Sequence, residues 1–107
     1  MIFLETSVFT RQITDVMDDD DYRELQCFLM DNPSVGDLIQ HSGGLRKIRW
    51  TGSGRGKRGG TRIIYYWDAG DKILMLYIYP KNERTDLSQR QLSILRAIVE
   101  TYKNEQP

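Results

Sequence analysis

Seven bases and no acid lie between residues 38 and 67: Arg46, Lys47, Arg49, Arg55, Lys57, Arg58 and Arg62. Alternation along a strand over 45–50 puts Lys47 and Arg49 on one face and Ile48 and Trp50 on the other. Arg62, early in the next apolar run, then faces that pair across a hairpin, and Lys81 follows the third run where it leaves the sheet. Cations gathered in this way repel one another until an anion completes the group. The segment between the first two runs, residues 51–60, joins five glycines to three bases, a basic tip suited to lying along a polyphosphate backbone. It is not a nucleotide-hydrolysing loop. Thr51 stands where the first glycine of G-x-x-x-x-G-K-[ST] belongs, Arg58 replaces the hydroxyl residue, and a strand follows instead of a helix.

The rest of the chain narrows the chemistry. There is no Ser/His/Asp constellation and no histidine pair, and the carboxylates are not spaced for two-metal phosphoryl transfer. A metal-free, cofactor-free transfer at phosphorus stays open to these residues, beside plain contact with solvent or with a polyphosphate. A ribose 2′-hydroxyl attacks the adjacent phosphate, arginines stabilise the charge growing on its oxygens, and a lysine made less basic by neighbouring cations takes the proton. Only RNA carries that nucleophile. Tyr65, Tyr66, Tyr77 and Tyr79, with Trp50 or Trp67, are available to stack bases or to fill the core. The lone His41, before Ser42-Gly43-Gly44, reads as structural or solvated. Cys27 is the only cysteine, which excludes a disulfide framework and a cysteine zinc site, and its apolar helical neighbourhood predicts a small core residue.

Period and punctuation give the elements that must hold these residues. Residues 2–6 read as a short strand and 8–17 as a helix with Phe9, Ile13, Val16 and Met17 inward. The four aspartates 18–21 point about 100° apart in a helix and cannot converge on one ion. They read as a helix start, with Asp21 and Glu24 as a capping box, Tyr22, Leu25, Phe28 and Leu29 as the buried stripe, and Asn32-Pro33 as the stop. Runs 45–50, 62–67 and 73–79 predict an antiparallel meander whose near-continuous apolar strands are covered on both faces. Ser88 with Gln91, a Leu87 to Leu92 staple, and Leu92, Leu95, Val99 and Tyr102 predict a terminal amphipathic helix. The fold class is α+β: a small, mostly antiparallel sheet with two N-terminal helices and a C-terminal helix.

The chain has 107 residues, which predicts one domain over 1–107, and its formal net charge is zero. Zero overall speaks against a nucleic-acid partner, but the sum hides a segregation. Residues 1–37 carry nine acids and two bases, residues 38–67 carry +7, and the remainder is balanced. The start of the sequence shows neither a basic n-region nor a long apolar run, so a cytoplasmic protein without membrane contact is expected.

Three segments, Gly43-Gly44-Leu45-Arg46-Lys47-Ile48-Arg49, Gly56-Lys57-Arg58-Gly59-Gly60-Thr61-Arg62-Ile63-Ile64-Tyr65-Tyr66 and Tyr79-Pro80-Lys81-Asn82-Glu83, closely resemble the RelE superfamily, above all its HigB-like branch. The order of elements agrees over nearly the whole chain. The resemblance implies a toxin of a type II toxin–antitoxin system, a ribosome-dependent endoribonuclease that cuts mRNA in the A site. It implies catalytic roles for Lys47, Arg49, Arg62 and Lys81, and RNA contacts from Arg46, Arg55, Lys57, Arg58, Tyr79 and Asn82. Asn82 stands where the family has a further arginine, and Leu87-Ser88 offers neither the Tyr nor the His that many members carry there. Tyr79 or a lysine is left to serve as acid or base. The implied partner is an antitoxin with a HigA-like helix-turn-helix domain, whose complex with the toxin binds operator DNA. The other reading is a noncatalytic RNA- or DNA-binding or corepressor module on the same fold, which predicts salt-sensitive binding without cleavage.

Overall fold

The structure is a computed structural model and describes residues 1–51, 60–68, 70–80 and 86–105. Three helices enclose a five-stranded sheet. The elements are β1 (Ile2–Glu5), α1 (Ser7–Val16), α2 (Asp19–Asp31), β2 (Asp37–Leu38), β3 (Leu45–Trp50), β4 (Thr61–Asp68), β5 (Lys72–Pro80) and α3 (Gln89–Glu105). Strand order is β1-β5-β4-β3-β2, with β1 parallel to β5 and every other pair antiparallel. The meander β3-β4-β5 is the one the sequence predicts. β1 and the two-residue β2 extend it at its edges.

Both faces of the sheet are covered, which is why its central strands are apolar without interruption. On one face Phe9, Ile13 and Met17 from the α1 segment and Leu25 and Leu29 of α2 pack against Ile48, Ile63, Tyr65, Ile73, Met75 and Ile78. On the other, Leu95 and Val99 of α3 pack against Leu45, Ile64, Leu74, Leu76 and Tyr79. A register shift between Ile64 and Tyr65 leaves Leu76 as an extra residue in β5. This bulge inverts the alternation, so Tyr77 and Tyr79 join Leu74 and Leu76 on the α3 side while Ile78 joins Ile73 and Met75 on the other.

Helix ends follow the expected chemistry with one correction. Thr6 caps α1, accepting from the Phe9 amide at 3.1 Å while its hydroxyl donates to the Leu76 carbonyl at 2.8 Å, which ties the helix start to β5. The cap of α2 is Asp18, not Asp21: its carboxylate accepts from the Asp21 amide at 2.8 Å. Asp19, Asp20 and Asp21 then occupy the first turn, where acids favour the helix dipole, and Asp21 is buried. Ser88 and Gln91 form the predicted reciprocal box, the Ser88 amide donating to Oε1 of Gln91 at 2.9 Å and the Gln91 amide to Ser88 Oγ at 3.1 Å. Cys27 is exposed, contrary to the expectation of a core residue, because α2 turns Leu25 and Leu29 inward and Cys27 lies off that stripe. Among the described residues no helix is long and apolar enough to cross a membrane.

Candidate functional site

Strand register, not sequence proximity, assembles the cationic group. Arg49 of β3 pairs with Arg62 of β4, which pairs in turn with Tyr79 of β5, so the three form one row across the sheet. In the neighbouring row toward the middle of the sheet stand Lys47, Ile64 and Tyr77. Adjacent members of such a row carry their Cβ atoms about 4.5–5.5 Å apart. Lys47, Arg49 and Arg62 therefore share the α3 side of the sheet, as alternation predicts. α3 begins over the inner row: Leu87, Gln89 and Leu92 border a cleft of about 270 Å³ together with Lys47, Ile64 and Asp86. The Arg49–Arg62–Tyr79 row is the next one out, with Arg49 exposed and Arg62 half-buried.

Asp86 is the site residue that sequence reasoning passed over. Its Oδ1 lies 2.7 Å from Lys47 Nζ, at an exposed position just before the α3 cap. The hydrogen bond and charge of Lys47 hold the Asp86 carboxyl below the usual carboxylate range, and the Arg62 guanidinium adds to the effect. The pair joins positions 39 apart in the chain. The available signal was placement: Asp86 precedes the staple residue Leu87, and the staple fixes where the chain enters α3.

Arg46 is not brought to this group. It lies on the α1/α2 side of the sheet, and its Nη1 donates to the carbonyls of Ser34 at 3.0 Å and Gly36 at 2.8 Å. With Tyr65 it clasps the turn after α2: the Tyr65 hydroxyl donates to the Pro33 carbonyl at 2.8 Å and accepts from the Gly36 amide at 2.9 Å. Gly36 is required there, because a Cβ would stand 2.8 Å from the Tyr65 ring. Burial raises the Tyr65 pKa above its ordinary value.

The aromatic candidates divide between the faces. Tyr65, Trp50 and Trp67 belong to the α1/α2 side, away from the cations. Tyr79 is 1% exposed and packs beside Tyr77, ring centroids 5.9 Å apart, so its ring is not open to a base. Tyr77 is half-buried on the cationic side, and Tyr66, on the same side, lies under Lys103 at 5.2 Å. His41 is exposed in a left-handed turn, its carbonyl accepting from Arg96 at 3.1 Å. Arg55, Lys57, Arg58, Lys81 and Asn82 lie outside the described residues. Among the described residues no three of His, Cys, Asp and Glu come together as metal ligands.

The fold has a known counterpart. In three dimensions the chain is similar to E. coli toxin RelE, seen as a doubly substituted mutant in the free state. The TM-score is 0.58 at 8% sequence identity, over 90% of this chain and 93% of that one. That likeness establishes the fold: an α+β sheet layered by two N-terminal helices and one C-terminal helix. Residues 35–106 match the family model of the RelE toxin of the RelE/RelB toxin–antitoxin system. They take in β2 to α3, and so the whole of the cationic rows. The chain belongs to the RelE family of toxin–antitoxin toxins.

Proposed function

We propose that this chain is a ribosome-dependent mRNA endoribonuclease of the HigB-like branch, a single toxin domain over residues 1–107 that inhibits translation in the cytoplasm. The observation that carries the reading is the row Arg49–Arg62–Tyr79 with Lys47 one row inward, a cationic group in which Asp86, paired with Lys47, is the carboxylate the structure sets beside it. A phosphate placed over Arg62 is within reach of Arg49 on the neighbouring strand. The reaction is in-line: the 2′-oxygen bonds to phosphorus and the 5′-oxygen leaves. The products are a 2′,3′-cyclic phosphate and a 5′-hydroxyl. Arg49 and Arg62 neutralise the charge that grows on the phosphoryl oxygens, and Lys47 and Lys81 handle the two protons. Tyr79 supports Arg62 from the neighbouring strand; Arg55, Lys57, Arg58 and Asn82 extend the contact to the RNA backbone.

The charge layout suits this role. Helices α1 and α2 of the acid-rich first third form the layer behind the sheet, and Lys47, Arg49 and Arg62 of the basic segment face the other way, a polarity that would orient the molecule on ribosomal RNA. Its partner is an antitoxin of the HigA-like, helix-turn-helix kind, and operator DNA is reached only through that complex. Expression of the chain alone should arrest growth and translation, and Arg62→Ala should relieve the arrest without unfolding the protein. A folded Arg62→Ala, Lys81→Ala double variant that is still toxic contradicts the assignment. Salt-sensitive RNA binding with no cleavage would instead support the noncatalytic module.

A further inference from the structure

Among the described residues, four exposed large apolar side chains gather on and beside α3. This helix turns Leu92, Leu95, Val99 and Tyr102 to the sheet, yet Ile94 and Ile98, one turn apart, remain 53% and 37% exposed. They wall a groove of about 610 Å³ whose opposite side is Leu4 and Glu5 of edge strand β1. A second hollow of about 210 Å³ continues it past the same isoleucines toward Val8 and Tyr77. Leu4 and Val8, which line these hollows, are exposed as well. Scattered apolar residues on a surface are ordinary, but a continuous apolar groove marks a docking surface. From Ile94 to Glu105 it runs roughly 16 Å along the helix, the length of three helical turns.

We propose that this groove receives an amphipathic segment of the antitoxin, an apolar stripe with Lys or Arg at one end. The proposal rests on the chain being a toxin–antitoxin toxin and not on its catalytic reading. Charge selects the occupant. The charged residues lining the groove are Glu5 and Glu105, both in its larger part, and no base is among the described lining residues. Glu5 keeps its acceptor role, taking bonds from the Thr10 and Tyr22 hydroxyls. A base-tipped partner pairs with these acids, and self-association of the chain through the same groove is the competing outcome that light scattering reads. The smaller end reaches Tyr77, which shares a row with Lys47. A segment leaving that end arrives at the border of the cationic face, where its bulk obstructs an approaching RNA without filling the site.

The test is calorimetric titration of the purified toxin with the antitoxin encoded beside it, using Ile94→Glu, Ile98→Glu and, as a milder pair, Ile94→Ala, Ile98→Ala. The acidic pair should keep the fold and the growth arrest of the toxin alone, lose at least 100-fold in antitoxin affinity, and escape neutralisation on co-expression. The alanine pair and Glu105→Lys should each lose about tenfold, on the scale of 1.4 kcal/mol for each factor of ten. Unchanged affinity in the acidic pair overturns the proposal. So does a dimer of the chain alone, seen by light scattering, that the acidic pair dissociates. Because binding is read without activity, a chain that cleaves nothing yet loses its antitoxin on these substitutions overturns the nuclease reading and supports the groove.

Discussion

Lys47 and Asp86 form an ion pair at 2.7 Å across the entrance to α3, which sets one carboxylate on the face where the sequence from 38 to 67 has only cations. An RNA phosphate that approaches Lys47 meets a position already taken by an anion of the chain itself. The pair is exposed on the Asp86 side and half-buried on the Lys47 side, so exchange of one anion for another needs no rearrangement of the core.

Asp86→Asn should therefore tighten binding of a short RNA and steepen its dependence on salt, since one more cation is free to release a counterion from phosphate. Fluorescence anisotropy from 50 to 200 mM salt reads both, and weaker binding would show that Asp86 instead holds Lys47 in place. The folded pKa of Asp86 lies below its unfolded value, so the pair's contribution to stability is present above about 3.9, the ordinary carboxylate value, and fades as pH falls through the lowered one. The thermal midpoint at pH 7 should hardly move, because such a pair is solvent-screened.

Arg62→Ala removes the centre of the outer row and should lower single-turnover cleavage by about 10²–10³-fold, the loss typical of one donor aimed at a developing anion. Arg62 is half-buried on a central strand, so the check pairs the rate with a melting curve. A normal rate, or a rate lost only through unfolding, goes against the assignment.

Arg46 separates structure from recognition. Arg46→Ala frees the half-buried Gly36 carbonyl and Tyr65→Phe the buried Gly36 amide and the half-buried Pro33 carbonyl, and each should destabilise by about 1–3 kcal/mol. Denaturant unfolding measures that loss. The salt slope of RNA binding should stay as in the parent, whereas Arg49→Ala should flatten it by about one phosphate contact.

Tyr102 reports on how α3 sits on the sheet. Burial first, and then its 2.8 Å hydrogen bond to Asp68, push its pKa up to about 12. The folded state therefore favours the neutral phenol. That stabilisation is present below the ordinary value of about 10 and is lost as pH rises through 12. In an ultraviolet titration a tyrosine ionising near 12 should vanish in Tyr102→Phe; if the titration curve is unchanged, the contact is absent in solution.

Local signals are legible in this sequence, and contacts set by packing are not. Ile, Tyr and Trp between glycine-rich breaks identified β3, β4 and β5, and Ser88 with Gln91 identified the start of α3, because those signals are local. Lys47, Arg49 and Arg62 were placed on one face by alternation alone, since β3 and the first half of β4 are regular. Tyr79 could not be placed so simply: the extra residue at Leu76 inverts the pattern, and nothing in an unbroken apolar run announces a bulge. By alternation Arg46 belongs with Ile48 and Trp50, the face away from Lys47, so its separation from the cations was readable, but its carbonyl partners were not. Asp18 displaced Asp21 as the cap because four consecutive aspartates offer several frames of equal local merit, and the burial of Leu25 and Leu29 selects one. The pairing of Lys47 with Asp86 depends on where α3 docks, which is a property of the packed core.

Whether the Arg49–Arg62 row with Lys47 cuts mRNA on the ribosome is decided by purified ribosomes carrying a short message in the A site. The toxin should cut the message within the A-site codon, leave a 2′,3′-cyclic phosphate and a 5′-hydroxyl, and lose the activity in Arg62→Ala. Intact message with folded toxin, or equal cutting by Arg62→Ala, would contradict it.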